Sequence, residues 1–435
     1  MIGLIPEPKP FHRCPVCGCR LEVKGWCIPG MRNLADLACP ECGKTYYGDL
    51  LAGHGLYFPM LLDKSNGHVY DRLRVPWFAQ WLEKSYRERR ATPLVLHAEA
   101  LRPIRRPLLL NCLDVLYGHS LLKLLNAQYY LDHAPEYDLI LLIPHFLRWM
   151  VPDGASAIWT VDWSLKNGAQ WHDRLDAELH QRLDSFPEVF LSKAFSHPHP
   201  KDYDISRFTG VRPFRIDRWD EGLQRPKVTF IWRDDRPWTT SRPQKSRGLG
   251  NFFTAWQAPS RDPVKDQLSK VISLDSHLRS RFGNLQFAVA GIGDPGGLPA
   301  WIDDMRCRRV DADREKEWCE LYARSHVVIG VHGSNMLLPS GHAGASIDLM
   351  PEDRWGNMLQ DILFRPGDER ELMFRHRFIQ ISTGPMELAV VARSLLEHHR
   401  DMQINMGPDF CEHDTGLDLG KWAAARKNHL RQWGG

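Results

Sequence analysis

The sequence predicts an α/β protein with two doubly wound, Rossmann-like domains preceded by a small cysteine-bearing ribbon. Three observations predict it. Two separate stretches alternate short apolar runs with helical patterns, as parallel sheets covered by helices do. A break lies between them near residues 215–227. Six of the ten cysteines fall within the first 42 residues. At 435 residues the chain is too long for one core. The expected division is 10–46 for the ribbon, 50–220 and 225–400 for the two α/β domains, and 401–435 for a terminal tail or helix.

Cys14-Pro-Val-Cys17-Gly and Cys39-Pro-Glu-Cys42-Gly are two C-x-x-C-G turns. Each glycine permits a tight turn that aims backbone N–H groups at thiolate sulfur. Together the turns offer four sulfurs at Cys14, Cys17, Cys39 and Cys42, the donor set of a tetrahedral Zn²⁺. Such a site is closed, so the metal is expected to be structural. Cys19 and Cys27 fit the set less well.

In the second region, GLYFPMLLD and GHVYDRLRV read as strands around a Ser-Asn-Gly turn, and WFAQWLEKSYRERR as an amphipathic helix. PLLLN, a helix through Leu121, Leu122, Leu124 and Leu125, YDLILLIP and SAIWTVDWS then continue the alternation. The third region offers strands VTFIW, LQFAVAG, CRRVD, HVVIGV, SIDLM and FIQIS. Helices are expected over 263–282, 313–324, 335–342 and 356–364, with a late helix in MELAVVARSLLEHHRDM. Between the first strand and first helix lies a long Pro-, Ser-, Gly- and Arg-rich connection, the length of a functional lid or of a plain disordered insertion. Sixteen Trp suit core filling and sugar stacking alike, and core filling is the commoner use.

The stretch from His326 to Pro351 carries the most chemistry. A buried-type strand breaks into His332-Gly333-Ser334-Asn335, an apolar helix follows, and a second strand ends with Asp348 near its close. In open α/β sheets the ligand crevice lies at the carboxyl ends of the strands. A helix N-terminus there suits a diphosphate. Gly333 admits close backbone approach, and Ser334 and Asn335 can cap or donate. Arg233 and Arg236 follow another strand, where a guanidinium matches phosphate oxygens in pairs. Asp348 is placed to accept from a sugar or ribose hydroxyl.

Three segments resemble the family 61 glycosyltransferases. VHGSNMLLPSGHAGASIDLMP is similar to that family's donor-site signature, VTFIWRDDRPW to its Arg-rich turn, and LYGHSLLKLLNAQYYLDH to its Tyr-x-His helix start at Tyr117 and His119. They appear in the family's order and span about half of the chain. The resemblance implies the GT-B arrangement, with two domains facing across a cleft, and metal-independent, inverting transfer from a nucleotide-diphosphate sugar. The acceptor would be a glycan, a protein or a lipid-linked group. Arg233, Arg236, His332, Gly333, Ser334, Asn335 and Asp348 would hold the donor. A general base is then needed near the acceptor hydroxyl. Asp114 and His119 flank one strand-to-helix loop and are the catalytic candidates, with Asp162 a third. The family's usual acid four positions after that His is Lys123 here.

The remaining numbers bound the alternatives. A net charge of +3 lacks the strongly basic balance of a nucleic-acid binder. No apolar run approaches the ~20 residues of a membrane span. The N-terminus has no basic-then-apolar leader, so the chain reads as cytoplasmic with reduced thiols. Two other readings stand beside the transferase. One is a zinc-ribbon binding or scaffold protein with a degenerate transferase body, to which Lys123 lends weight. The other is a different sugar-nucleotide enzyme, fucosyltransferase-type or epimerase-like.

Overall fold

The computed structural model describes residues 1–89, 94–239, 262–363 and 369–406. The chain is mixed α/β and forms two compact units, Met1–Thr209 and Gly210–Gly435.

Unit 1 opens with β1 (Ile2–Ile5). An antiparallel sheet follows, made of β2 (Glu22–Cys27), β3 (Leu34–Ala38), β4 (Thr45–Asp49), β5 (Leu61–Asp63) and β6 (Val69–Tyr70). A 3₁₀ turn, Gly53–Leu56, joins β4 to β5. Helix α1 (Pro76–Arg87) turns Phe78, Leu82 and Tyr86 inward. Then come β7 (Leu96–Ala100), β8 (Pro107–Asn111), α2 (Tyr117–His133), β9 (Asp138–Pro144), β10 (Ala157–Val161), α3 (Asp173–Leu183), β11 (Val189–Leu191) and the short α4 (Ser206–Thr209). The second sheet has the order β1-β11-β8-β9-β10-β7. Its four central strands are parallel and both edges antiparallel. The uninterrupted apolar runs of β8, β9 and β10 are what a sheet covered on both faces requires. The chain steps from β8 to β9 to β10 and then returns β11 to the other side of β8. The sheet therefore reverses between β8 and β11.

The cysteine-bearing sheet does not end at residue 46. It continues through β5 and β6, the pair expected in the neighbouring α/β domain, because β5 pairs with β4. Its inner face shares one core with the parallel sheet. Trp26, Ile28, Leu37 and Tyr46 lie in the same buried cluster as Leu109, Ile140, Leu142 and Trp159. A ribbon of some forty residues has too little apolar surface to close its own core, and this one borrows a neighbour's.

Unit 2 contains β12 (Lys227–Arg233), α5 (Pro263–Arg279), β13 (Gln286–Ile292), β14 (Asp303–Cys307), α6 (Ala312–Ala323), β15 (Val327–Val331), α7 (Leu337–His342), β16 (Ala345–Met350), α8 (Glu369–Arg375), β17 (His376–Gln380) and α9 (Pro385–Met406). All six strands are parallel, in the order β14-β13-β12-β15-β16-β17. That is the 3-2-1-4-5-6 order of a dinucleotide-binding Rossmann sheet, which reverses between its first and fourth strands, β12 and β15. Capping sets the helix starts. The Asp262 carboxylate accepts from the Val264 N–H at 3.0 Å with Pro263 at the first helical position, and Asp311 accepts from the Arg314 N–H at 2.9 Å.

Several local expectations are corrected. The strand expected at CRRVD lies earlier, at Asp303–Cys307, because an edge strand carries little apolar periodicity. The helix expected over 356–364 is only a 3₁₀ turn, Trp355–Asn357. Residues 215–227 are not a break between units. Unit 2 begins at Gly210, and Trp219 is buried in its core, with Phe214 and Ile216 packed alongside. Most of the long connection after Trp238, and the chain beyond Met406, lie outside the described residues.

Trp219 anchors two buried histidines. Its ring stacks on His399 at 4.3 Å and meets His326 edge-on at 5.4 Å. His399 is fully buried, and among the described residues neither ring nitrogen has a hydrogen-bond partner. Burial pushes His326 down to about 4, and burial with the Arg375 charge pushes His399 down to about 3. Both are neutral in the fold and protonate near 6.5 when unfolded. Their contribution to stability is complete above pH 6.5 and is lost as pH falls from there toward 4. Thermal melts between pH 7.5 and 4.5 should show the midpoint falling through that window, and His399→Leu should flatten the fall.

Candidate functional site

In unit 2 the strand ends at the reversal bring the expected donor residues together. Arg233 closes β12, and His332 follows β15. The Arg233 Nη1 donates to Asn335 Oδ1 at 3.0 Å, and its other nitrogens pair with Asp235. Arg236 Nη1 donates to the His332 carbonyl at 3.1 Å. Gly333 sits between them with φ +154°. A Cβ there would lie 2.8 Å from Arg236 Nη1, 3.0 Å from Asn335 Oδ1 and 3.3 Å from Arg233 Nη1. A side chain there would push the tips of both guanidiniums aside, in a backbone conformation that side chains rarely adopt. Burial, then the charges of Arg233 and Arg354, pull Arg236 below its ordinary pKa, as expected where cations crowd.

Three details differ from the sequence reading. First, α7 has six residues and starts from a 3₁₀ turn, Ser334–Met336, with no side-chain cap, so the positive character of the site comes from arginines more than from a helix dipole. Ser334 lies half-buried in that turn. Second, Asp348 is fully buried and its Oδ1 takes His332 Nδ1 at 3.1 Å, so its partner in the structure is His332. Third, His332 is itself 1 % exposed, with Nε2 at 3.2 Å from the Asn357 carbonyl and from Asp361 Oδ2. Burial alone would lower its pKa. The hydrogen bond and charge of Asp348, with the charge of Asp361, prevail and raise it. A pocket of about 780 Å³ adjoins through Arg236, lined among others by Met350, Pro351, Arg354, Trp355 and Gln380. Ligand pockets of this kind run to several hundred Å³.

In unit 1 the two cysteine turns meet. Cys14 and Cys42 sulfurs are 3.5 Å apart, and Cys17 and Cys39 sulfurs 3.4 Å. All four lie within 4.8 Å of one another. Zn–S bonds of about 2.3 Å set tetrahedral sulfur separations of about 3.8 Å, so the set fits a single ion. Both turns have the same backbone pattern. Gly18 N–H bonds the Cys14 carbonyl and Gly43 N–H the Cys39 carbonyl, with φ +76° and +68° at the glycines.

At the reversal between β8 and β11, Asp114 is fully buried. Its Oδ2 takes Lys123 Nζ at 2.7 Å and His54 Nε2 at 2.8 Å. Its Oδ1 takes the N–H groups of Val115 at 2.8 Å and Leu116 at 3.2 Å, and lies 3.4 Å from His119 Nδ1. Lys123 also donates to the Leu113 carbonyl at 3.1 Å. Burial pushes the Asp114 carboxyl up, but the Lys123 charge, the hydrogen bond from His54 and the approach of His119 outweigh it and hold it well below the usual range. Burial brings His54 down to about 4 despite Asp114. Asp114 is thus enclosed, and His119, with its side chain 24 % exposed, is the member that reaches solvent. His54, Asp114 and His119 are close enough to hold a cation together, but Lys123 already supplies that charge. Asp162 lies on the exposed surface after β10.

No protein-family model and no curated protein matches the chain. Solved structures give distant likenesses. Escherichia coli ADP-heptose LPS heptosyltransferase II aligns at 9 % identity over 68 % of this chain and 100 % of that one, with a TM-score of 0.35. A UDP-N-acetylglucosamine 2-epimerase from Listeria monocytogenes aligns at 10 % over 69 % and 91 %, with a TM-score of 0.34. The dodecameric, iron-containing heptosyltransferase TibC, in complex with ADP-D-β-D-heptose, aligns at 11 % over 82 % of each chain, with a TM-score of 0.25. Two of these proteins are glycosyltransferases and one is a sugar-nucleotide epimerase. Overlaps this loose carry no argument about this chain.

Sequence reasoning missed His54, Arg354 and Asp361. His54 sits in a plain Ala-Gly-His-Gly turn and is recruited by tertiary packing alone. Arg354 and Asp361 fall in a stretch expected to be regular helix or its approach. The buried pair gives a direct expectation. Lys123→Ala would strand the Asp114 charge, which typically costs about 3–5 kcal/mol. Denaturant unfolding should show the loss, while an exposed lysine such as Lys24→Ala should leave stability nearly unchanged.

Proposed function

We propose that the protein is a glycosyltransferase that moves a sugar from a nucleotide-diphosphate donor to an acceptor hydroxyl, inverting and without a catalytic metal. The convergence of Arg233, Arg236 and the His332-Gly333 turn at the reversal of an all-parallel sheet carries the reading. A diphosphate leaving group needs positive donors aimed at its oxygens, and paired guanidiniums in a sheltered turn supply them. Asp235, ion-paired with Arg233, occupies the position an anion would take. The adjoining pocket has the size for a nucleoside, with Trp355 as a stacking face. The resemblance of 332–351 to the family 61 donor signature supports the same assignment. In unit 1, His119 is the group suited to take the acceptor proton. The acceptor hydroxyl belongs to a glycan, a protein or a lipid-linked group. Among the described residues no helix is long and apolar enough to cross a membrane.

A thermal-shift screen with UDP, GDP, CMP and ADP tests it, since a ligand of the folded state stabilises by RT ln(1 + [L]/Kd). No shift with any of them favours the scaffold alternative. With the nucleotide that binds, Arg233→Lys and Arg233→Ala should each cost on the order of 1–3 kcal/mol in calorimetric affinity. Gly333→Val should weaken binding further, by pushing both guanidiniums aside. Equal affinities for wild type and the Arg233 variants would place the donor elsewhere.

We assign a structural Zn²⁺ to Cys14, Cys17, Cys39 and Cys42. Elemental analysis should return about one zinc per chain, the stoichiometry of a Cys₄ site. Because the cysteine-bearing sheet shares the core of unit 1, Cys39→Ser should lower the stability of the whole unit, read by hydrogen exchange in β8 and β9. Exchange confined to the first fifty residues would show the module to be separable.

A further inference from the structure

We propose that His54 and Lys123 are positioning residues: together they fix the Asp114 carboxylate so that it holds His119 in the Nδ1–H tautomer and leaves Nε2 to take the acceptor proton. The inference rests on the transferase reading above. A carboxylate offers about four lone-pair directions. Lys123 and His54 take those of Oδ2 and two backbone N–H groups those of Oδ1, so His119 Nδ1, 3.4 Å from Oδ1 and without a directed hydrogen bond, faces the carboxylate's charge. One orientation of Asp114 satisfies its four donors and turns that charge toward His119. His54 is neutral, so its Nε2–H donates to Asp114. A negative Oδ1 favours a proton on the nitrogen that faces it, and a neutral or rotated Asp114 would remove that bias, so the ring would lose its preference between tautomers. Lys123 prevents protonation by charge, and His54 prevents rotation by a second directed hydrogen bond.

His54 comes from the turn after β4, in the cysteine-bearing sheet, and Lys123 from the second turn of α2. Two distant segments therefore meet on one oxygen, an arrangement that a capping aspartate does not need. In the transfer step the acceptor O–H proton moves to His119 Nε2. The freed oxygen pair forms the bond to the anomeric carbon, and the carbon–oxygen bond to the diphosphate breaks with its electrons on the diphosphate. The imidazolium so formed keeps its Nδ1–H on an ionised Asp114.

The test uses full-length protein with ¹⁵N-labelled histidine rings and long-range ¹H–¹⁵N correlation at pH 7.5, with His119 assigned by its absence in His119→Gln. Wild type should show the Nδ1–H pattern. His54→Leu and Lys123→Met should each shift His119 toward a mixture or the Nε2–H form, while His54→Gln, which keeps an N–H donor, should restore it. Circular dichroism checks that each variant is folded, and if Lys123→Met is not, the His54 pair decides. An Nε2–H pattern in wild type, or an unchanged tautomer in His54→Leu, overturns the proposal. The readout needs no substrate. A failure here is therefore separate from a failure of the transferase reading, which nucleotide binding at Arg233 tests.

Discussion

The buried Asp114 carboxylate is the interaction around which unit 1 closes. A lone charge at zero exposure would be driven to take up a proton. It stays ionised because an ammonium, an imidazole and two backbone N–H groups converge on it. Those partners come from the turn after β4, from the start of α2 and from the loop between them, so the charge can be satisfied only when all three are in place. The same seam continues through Asn111, whose amide donates to the Gly30 carbonyl and to Asn33 Oδ1 at 2.9 Å each. Gly168 leaves space for the Asp114 carbonyl, 2.3 Å from where a Cβ would stand. The polar contacts specify how the two sheets meet, and the shared apolar cluster supplies the driving force.

Unit 2 solves a different electrostatic problem. Its arginines stand close together at the end of β12 and are held apart by backbone and side-chain acceptors. Asp235 balances Arg233, and Asp348 with Asp361 balances His332. The cluster is neutralised from within, with Asp235 taking two nitrogens of Arg233 and the His332 carbonyl one of Arg236.

Much of this architecture was legible in the sequence where the chain is apolar and regular. The runs VTFIW, HVVIGV and SIDLM announce buried parallel strands, and the residues that end them fall at the reversal because topology leaves them nowhere else. The four cysteines were equally plain, since their spacing is fixed by turn geometry. What was hidden depends on contacts between distant segments. His54 carries no local signal, and Lys123 reads as an ordinary helix residue until Asp114 is seen beneath it. Asp348 was legible as important but not in its direction, because a strand's period tells which face a side chain takes and not what lies there. The edge strand β14 and the turn at Trp355 were obscured by polar composition. The extent of the cysteine-bearing sheet was misjudged because pairing of β4 with β5 is settled by the core they share.

The segment from Gly210 to Pro226 would pass for a tether by composition, with its arginines, acids and prolines. Yet it delivers Trp219 to the centre of the second core, between two neutral histidines, and sends the Phe214 N–H to the His342 carbonyl at 2.7 Å. The chain thus enters unit 2 through its core and not along its surface. During synthesis, the strands of that unit emerge after the indole they must close upon.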